Sequence, residues 1–428
     1  MDRLTEIFNV CWPMYAAMPA VLKAAIENAY RKAGWDLMTS ENPYGEVYPC
    51  FEDVANEVNA YINSSEYSDD TKGDYKGSLV TRLTSLTNGI NGLIFAADDL
   101  SDEELFEQNT IVDLSRAGNP DTKALIMGIL ILKLQEYRMA QAKGSDAVLR
   151  HVTVLEEAHN LLKRTSTEQS SESANLVGKS VEMLANAIAE MRTYGEGFII
   201  ADQAPGLLDA SVIRNTNTKI IMRLPDEEDR KLVGKAANLN DDQIAELAKL
   251  PRGVAAVYQS EWTGPVLCKV EKPDLKQERF DEPEPFQKQQ EKSVLFDLLD
   301  RDFREKLDET EFRDGFRHAV LRSGVPTSVK IDLIEYLNAE GDEQKFRSLA
   351  TAVYNAFRDA EKAVVYAADK PTMPEVRKAI LERWRSRQKN MMCSRSTTLY
   401  ICFCGNIESF TLRPIQSGMT FLDNGRIV

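Results

Sequence analysis

Val152-Thr153-Val154-Leu155-Glu156-Glu157-Ala158-His159 is an apolar, β-branched run that ends in two adjacent carboxylates. Such a short run predicts a strand buried on both faces of a sheet. In open α/β sheets ligands bind beyond the carboxyl ends of the strands, so both acids would stand at that crevice. This is the form of a Walker B motif. Glu156 would hold Mg²⁺ through water, and Glu157 would orient and deprotonate an attacking water during phosphoryl transfer. That chemistry is mostly positioning and charge stabilisation, which is why it needs acids fixed at a strand end. The same pair also suits the first turn of a helix, where the macrodipole favours glutamate. The stretch alone leaves both readings open.

The next strand narrows the choice. Phe198-Ile199-Ile200-Ala201-Asp202-Gln203 is again an apolar run, now ending in an amide. Gln203 has the donors and acceptor to bond both a γ-phosphate and a water, although a plain strand-end turn would also accommodate it. Further strands are predicted at 110–114, 219–224, 254–258 and 266–270, the last two close enough to form an edge hairpin. Helical spacing is read over 19–33, from Pro120 through Tyr137, and over 181–192. Strands alternating with helices predict an α/β fold with a mostly parallel sheet. The polar stretch 63–77 reads as a surface loop.

Several segments, in order, resemble the HerA/FtsK type of P-loop ATPase. Glu190-Met191-Arg192-Thr193-Tyr194-Gly195-Glu196-Gly197-Phe198 looks like the Arg-x-Tyr-Gly segment before that family's sensor strand. Asn215 through Leu224 is similar to its Asn-Thr-x-Thr-Lys-Ile strand, and Pro251-Arg252-Gly253-Val254-Ala255 to its late Leu-Pro-x-Gly turn. Met18-Pro19 through Gly34-Trp35, with Tyr48-Pro49, looks like the segment that follows the P-loop. The resemblance spans roughly residues 1–270. It implies a RecA-like sheet, ATP and Mg²⁺ as cofactors, and a homo-hexameric ring that moves or opens double-stranded DNA. Carried over by position, Glu156 replaces the usual aspartate and would hold Mg²⁺ through water. Glu157 matches the catalytic glutamate and Gln203 the sensor. Arg192 and Arg214 are candidates to stabilise phosphate charge, in trans across a subunit interface, and Arg223 is a candidate nucleotide-binding arginine.

One departure is grave. No Gly-x-x-x-x-Gly-Lys-Ser/Thr occurs in the 428 residues. Gly178-Lys179-Ser180 is a decoy, since Ser173 sits five residues before Gly178 and no strand precedes it. The family's P-loop and first strand are expected upstream of Met1. The chain then reads as the C-terminal part of an ATP-driven translocase or helicase in DNA repair, conjugation or anti-phage defence, with a nuclease or defence effector as a possible partner. The alternative is a non-catalytic ATPase-like subunit or adaptor that assembles with an intact ATPase.

Beyond the core, the Pro-, Glu- and Gln-rich stretch 271–292 reads as a linker, 293–390 as an α-helical domain and 391–428 as a small β-like tail. The stretch 164–175, low in apolar residues, reads as a flexible loop, and the basic run 383–389 as a solvated helix end. The net charge of −15 argues against a simple cationic sleeve for nucleic acid. Six cysteines without paired spacing suggest reduced thiols and a cytoplasmic protein, and Cys393, Cys402 and Cys404 lack a nearby histidine to complete a zinc site. The longest apolar run, 124–132, is too short to span a membrane.

Overall fold

The computed structural model describes residues 1–12, 14–95, 100–142, 144, 147–164, 173–272, 294–299, 301–356, 412–415 and 419–421. β1 (His151–Glu156) and β2 (Glu196–Ala201) run parallel, in register from His151↔Glu196 to Glu156↔Ala201. Parallel neighbours need a crossover, and the Ser173–Glu190 helix lies within it. The pleat sends alternate side chains to opposite faces. Val152, Val154 and Ile199 share one face and are exposed, whereas Leu155, on the other, is buried.

The Asp2–Cys11 helix packs against both the Pro120–Gln141 and the Ser173–Glu190 helices. Close approach to the first requires a glycine: a Cβ on Gly128 would lie 2.6 Å from the Ile7 side chain. The Pro120–Gln141 helix starts where the sequence says it should. Asn119 caps it by accepting from Thr122 N, and Pro120 stands in the first turn, where no intrahelical N–H is needed.

A second sheet holds β3 (Thr218–Ile221), β4 (Val254–Gln259) and β5 (Val266–Lys269) in that order. The expected hairpin is β4–β5, and β3 also meets β4 antiparallel. Among the described strands, parallel pairing is therefore confined to β1–β2 in a mixed α/β architecture. Ile221, Ala237, Leu247, Leu250 and Ala256 form the small core beneath the second sheet.

The chain divides into two compact units, residues 1–27, 58–81 and 100–281, and residues 28–57, 82–99 and 282–428. The first contains β1–β5. In the second, the Thr310–Arg322, Thr327–Asn338 and Asp342–Ala356 helices surround a core that includes Phe316, Val320, Leu333, Ile334 and Leu349. Val47 joins that core, and the Tyr44 hydroxyl bonds Glu335 at 3.1 Å. A hairpin of β6 (Leu412–Ile415) and β7 (Met419–Phe421) lies within the predicted β-like tail.

Three sequence expectations fail. β1 is not buried on both faces, since Val152 and Val154 are exposed. Residues 110–114 join no strand ladder, and Ile111 is 94% exposed. β-rich composition makes a strand only where a partner edge is available. Asp113 instead folds back to accept from Ser115 N, a local turn. The stretch 63–77 is not all loop, because Ser68 caps an Asp69–Tyr75 helix through Thr71 N, with Asp69 and Asp70 in its first turn. Of the predicted linker only Glu271 and Lys272 are described, and the basic run 383–389 and Cys393, Cys402 and Cys404 lie outside the described residues. So do 165–172 of the predicted loop, while the Ser173–Glu190 helix begins inside its last residues. Among the described residues no helix is long and apolar enough to cross a membrane.

Candidate active site

β1 ends in a sharp reversal. Glu157 adopts φ 49°, ψ 48°, a left-handed conformation that costs an L-residue about 1–2 kcal/mol. Packing and hydrogen bonds on both sides impose it. Leu155 precedes it and Ala158, Leu161 and Leu162 follow, all buried. Asn160 closes the turn, donating its backbone N–H at 3.0 Å and its side-chain amide at 2.8 Å to the Glu157 carbonyl.

The Glu157 carboxylate, 45% exposed, faces the end of β2. Its Oε1 accepts from Gln203 Nε2 at 2.9 Å, and its Oε2 lies 3.4 Å from His159 Nδ1. Asp202 sits behind them with its side chain only 3% exposed. Asp202 Oδ2 accepts the His159 backbone N–H at 2.9 Å and lies 2.9 Å from His159 Nδ1, while Oδ1 accepts from Ala204 N at 2.9 Å. The two strand ends are thus stitched together by side chains as well as by the ladder.

Glu157, His159 and Asp202 could hold a cation, since one ligand atom from each lies within 4.8 Å of the others. The carboxylates supply the hard oxygen donors that Mg²⁺ prefers. Both Asp202 oxygens, however, are already engaged by amide hydrogens, so the open carboxylate of the group is Glu157. Glu156, the predicted magnesium holder, is exposed one residue earlier and lies outside the group, though it stands at the same strand end.

Of the predicted site residues, the structure brings Glu157 and Gln203 together. The arginines lie apart. Arg192 is exposed in the Met191–Tyr194 turn before β2, at the opposite end of the strand from Gln203, roughly 20 Å of strand away. Arg214 is exposed on the Ala210–Asn215 helix and donates from Nε to Ala210 O at 3.2 Å. Asp209, a nearby carboxylate, caps that helix by accepting from Ser211 N. Arg223 is exposed just past β3. The decoy Gly178-Lys179-Ser180 falls inside the Ser173–Glu190 helix, with Ser180 buried and its hydroxyl on Glu6. Sequence reasoning passed over His159 and Asp202, although both stood in the quoted stretches next to residues that were chosen.

A second polar cluster lies at the other end of the ladder. Glu196, fully buried, receives Arg138 Nε at 3.0 Å and Thr153 Oγ1 at 2.7 Å, and His151 Nδ1 lies at 2.8 Å. Arg138 also donates to Phe106 O at 2.8 Å and pairs with Glu107. Burial works to lower the guanidinium's pKa, but the bonds to Glu107 and Glu196 outweigh it and the net shift is upward.

No model of a known protein family matches the chain. The DNA double-strand break repair helicase HerA of Sulfurisphaera tokodaii is 24% identical over 204 residues, covering 46% of this chain and 39% of that one. A probable DNA double-strand break repair helicase HerA of Methanocaldococcus jannaschii is 31% identical over 122 residues, 28% of this chain and 22% of the relative. The matched region therefore spans two-fifths or less of these relatives' length. Among solved structures, VirB4 of Thermoanaerobacter pseudethanolicus overlays with a TM-score of 0.42 and 16% identity, over 64% of this chain and 68% of that one. Over these segments the chain is similar in sequence to HerA helicases.

Proposed function

We propose that the chain carries the water-activating end of the ATPase site of a RecA-like, ATP-driven double-stranded DNA translocase or helicase. The observation that carries this reading is the Gln203–Glu157 bond across the ends of two adjacent parallel strands. Glu157 orients the attacking water and takes its proton, and Gln203 fixes the carboxylate and senses the phosphate beyond it. Mg²⁺, with Glu156 and Glu157 beside it, would neutralise charge developing on the phosphates of ATP. No phosphate cradle of the Gly-x-x-x-x-Gly-Lys-Ser/Thr form occurs among these 428 residues.

The ring is proposed from the resemblance, with Arg192 or Arg214, both exposed, as the residue that reaches a neighbouring subunit's nucleotide. The assembly proposed is a cytoplasmic homo-hexamer acting on DNA in repair, conjugation or defence, with a nuclease or defence effector as partner. The second reading is a non-catalytic subunit that assembles with an intact ATPase.

Turnover measurements separate the two. In a P-loop-containing form of the protein, Glu157→Gln should keep ATP binding and lose at least ~10²-fold in turnover. Unchanged turnover would remove Glu157 from the mechanism. Arg192→Ala subunits mixed with Glu157→Gln subunits should recover part of the activity, and no recovery would remove the interface role. The 428-residue chain alone should show no micromolar ATP binding, a level worth about −8 kcal/mol, by calorimetry.

A further inference from the structure

We infer that His159 is a positioning residue for Glu157, held by Asp202 so that its Nδ1 proton points at Asp202 and stays off the base. This rests on the reading of Glu157 as the water-activating group and adds two residues to that site.

His159 Nδ1 has two carboxylate oxygens in reach, Asp202 Oδ2 at 2.9 Å and Glu157 Oε2 at 3.4 Å. Both are acceptors, so Nδ1 carries a hydrogen whether the ring is neutral or protonated. The shorter contact takes it. Glu157 Oε2 is left beside an imidazole without being captured by it, and its lone pair remains available to a water. Gln203 holds the other oxygen. The carboxylate is thus fixed in orientation by one full hydrogen bond and one lateral contact.

Asp202 makes a second contribution through the backbone. The same Oδ2 accepts the His159 backbone N–H at 2.9 Å, two residues after the left-handed Glu157. This bond secures the peptide path out of the strained turn. Asp202 is itself immobilised by burial and by the Ala204 N–H. Proton placement and backbone path therefore depend on one buried carboxylate. Asp202 Oδ2 meets both the backbone and the ring nitrogen of His159, which is why positioning is the better reading of the cluster.

Two measurements test this. The chain has three histidines, His151, His159 and His318, so ¹⁵N-histidine NMR of the 428-residue protein resolves each ring, with His159→Asn giving the assignment. The neutral His159 ring should be the Nδ1–H tautomer, and Asp202→Asn should weaken that preference. An Nε2–H tautomer in the unsubstituted protein overturns the inference.

The second measurement is kinetic, in the P-loop-containing form. His159→Ala should lower kcat by ~10-fold or more while the KM for ATP stays within ~2-fold. His159→Asn, which can return a donor to the Nδ1 position, should recover most of the loss. Thermal unfolding of each variant separates misfolding from mispositioning. If both variants lose activity equally, or only KM moves, the positioning role is wrong. Glu157→Gln is the internal control. Should it leave turnover intact, the ATPase reading fails and the inference fails with it. Should it abolish turnover while His159→Ala matches the unsubstituted enzyme, the inference alone fails.

Discussion

The two ends of the β1–β2 ladder use the same pairing for opposite purposes. At the amino end His151 Nδ1 meets Glu196, and beyond the carboxyl end His159 Nδ1 meets Asp202. The first cluster is closed: Glu196 is sealed from solvent and a buried arginine matches its charge. The second is open. Glu157 is nearly half exposed, and among the described residues His159 is the ion-pair partner of both Glu157 and Asp202. Compensation by arginine makes a fixed joint, whereas the uncompensated end keeps negative charge facing outward, as a site for a cation-bearing ligand requires.

The largest test of this contrast is Arg138→Ala. It strands Glu196 as a buried, unpaired carboxylate and should cost the first unit about 3–5 kcal/mol, read by urea unfolding. A loss of similar size from His159→Ala would erase the distinction between the ends. Gly195→Ala comes next. Gly195 opens β2 at φ 82°, and a Cβ there would lie 2.5 Å from the Val148 carbonyl. The expected loss is about 2 kcal/mol, and a neutral result would mean that the amino end yields more easily than its packing implies.

At the open end the sign reverses. Glu157→Gly relieves the left-handed strain and should raise stability by about 1 kcal/mol while abolishing turnover in the hydrolysing form. A drop in melting temperature would mean that the carboxylate's contacts outweigh its strain. The smallest effect is on pH. The Arg138 hydrogen bond holds the Glu107 carboxyl below its usual 4.5. A lowered folded pKa contributes stability above the unfolded value, and that contribution is lost as pH falls through the folded one. Acid unfolding should therefore weaken the amino-end cluster from about pH 4.5 downward, and Glu107→Gln should flatten that part of the profile.

Much of the open end was legible because its residues are local. Glu157 and Gln203 each follow an apolar run after one intervening residue, so strand ends in the sequence become strand ends in space. The closed end was not legible. Arg138 and Glu196 are 58 residues apart, and nothing in either neighbourhood announces the other. The 110–114 run shows the same limit, since its composition is that of a strand but it has no edge to join. The antiparallel seating of β3 on β4 likewise depends on where the chain returns, which periodicity does not encode. The missed helix at Asp69–Tyr75 is different. Its signal, Ser68 before two aspartates, was present but lay within a stretch too polar to attract notice.

The uncovered face of Val152, Val154 and Ile199 has a consequence for the colloid. Parallel strands are ordinarily covered on both sides, so this face tends to associate with whatever apolar surface it meets. A net charge of −15 opposes contact between copies at low ionic strength. Added salt shortens the reach of that repulsion to about 8 Å at 0.15 M and leaves the apolar attraction intact. The isolated chain should therefore behave as a charge-stabilised suspension, monodisperse in dilute buffer and increasingly self-associating as salt is raised.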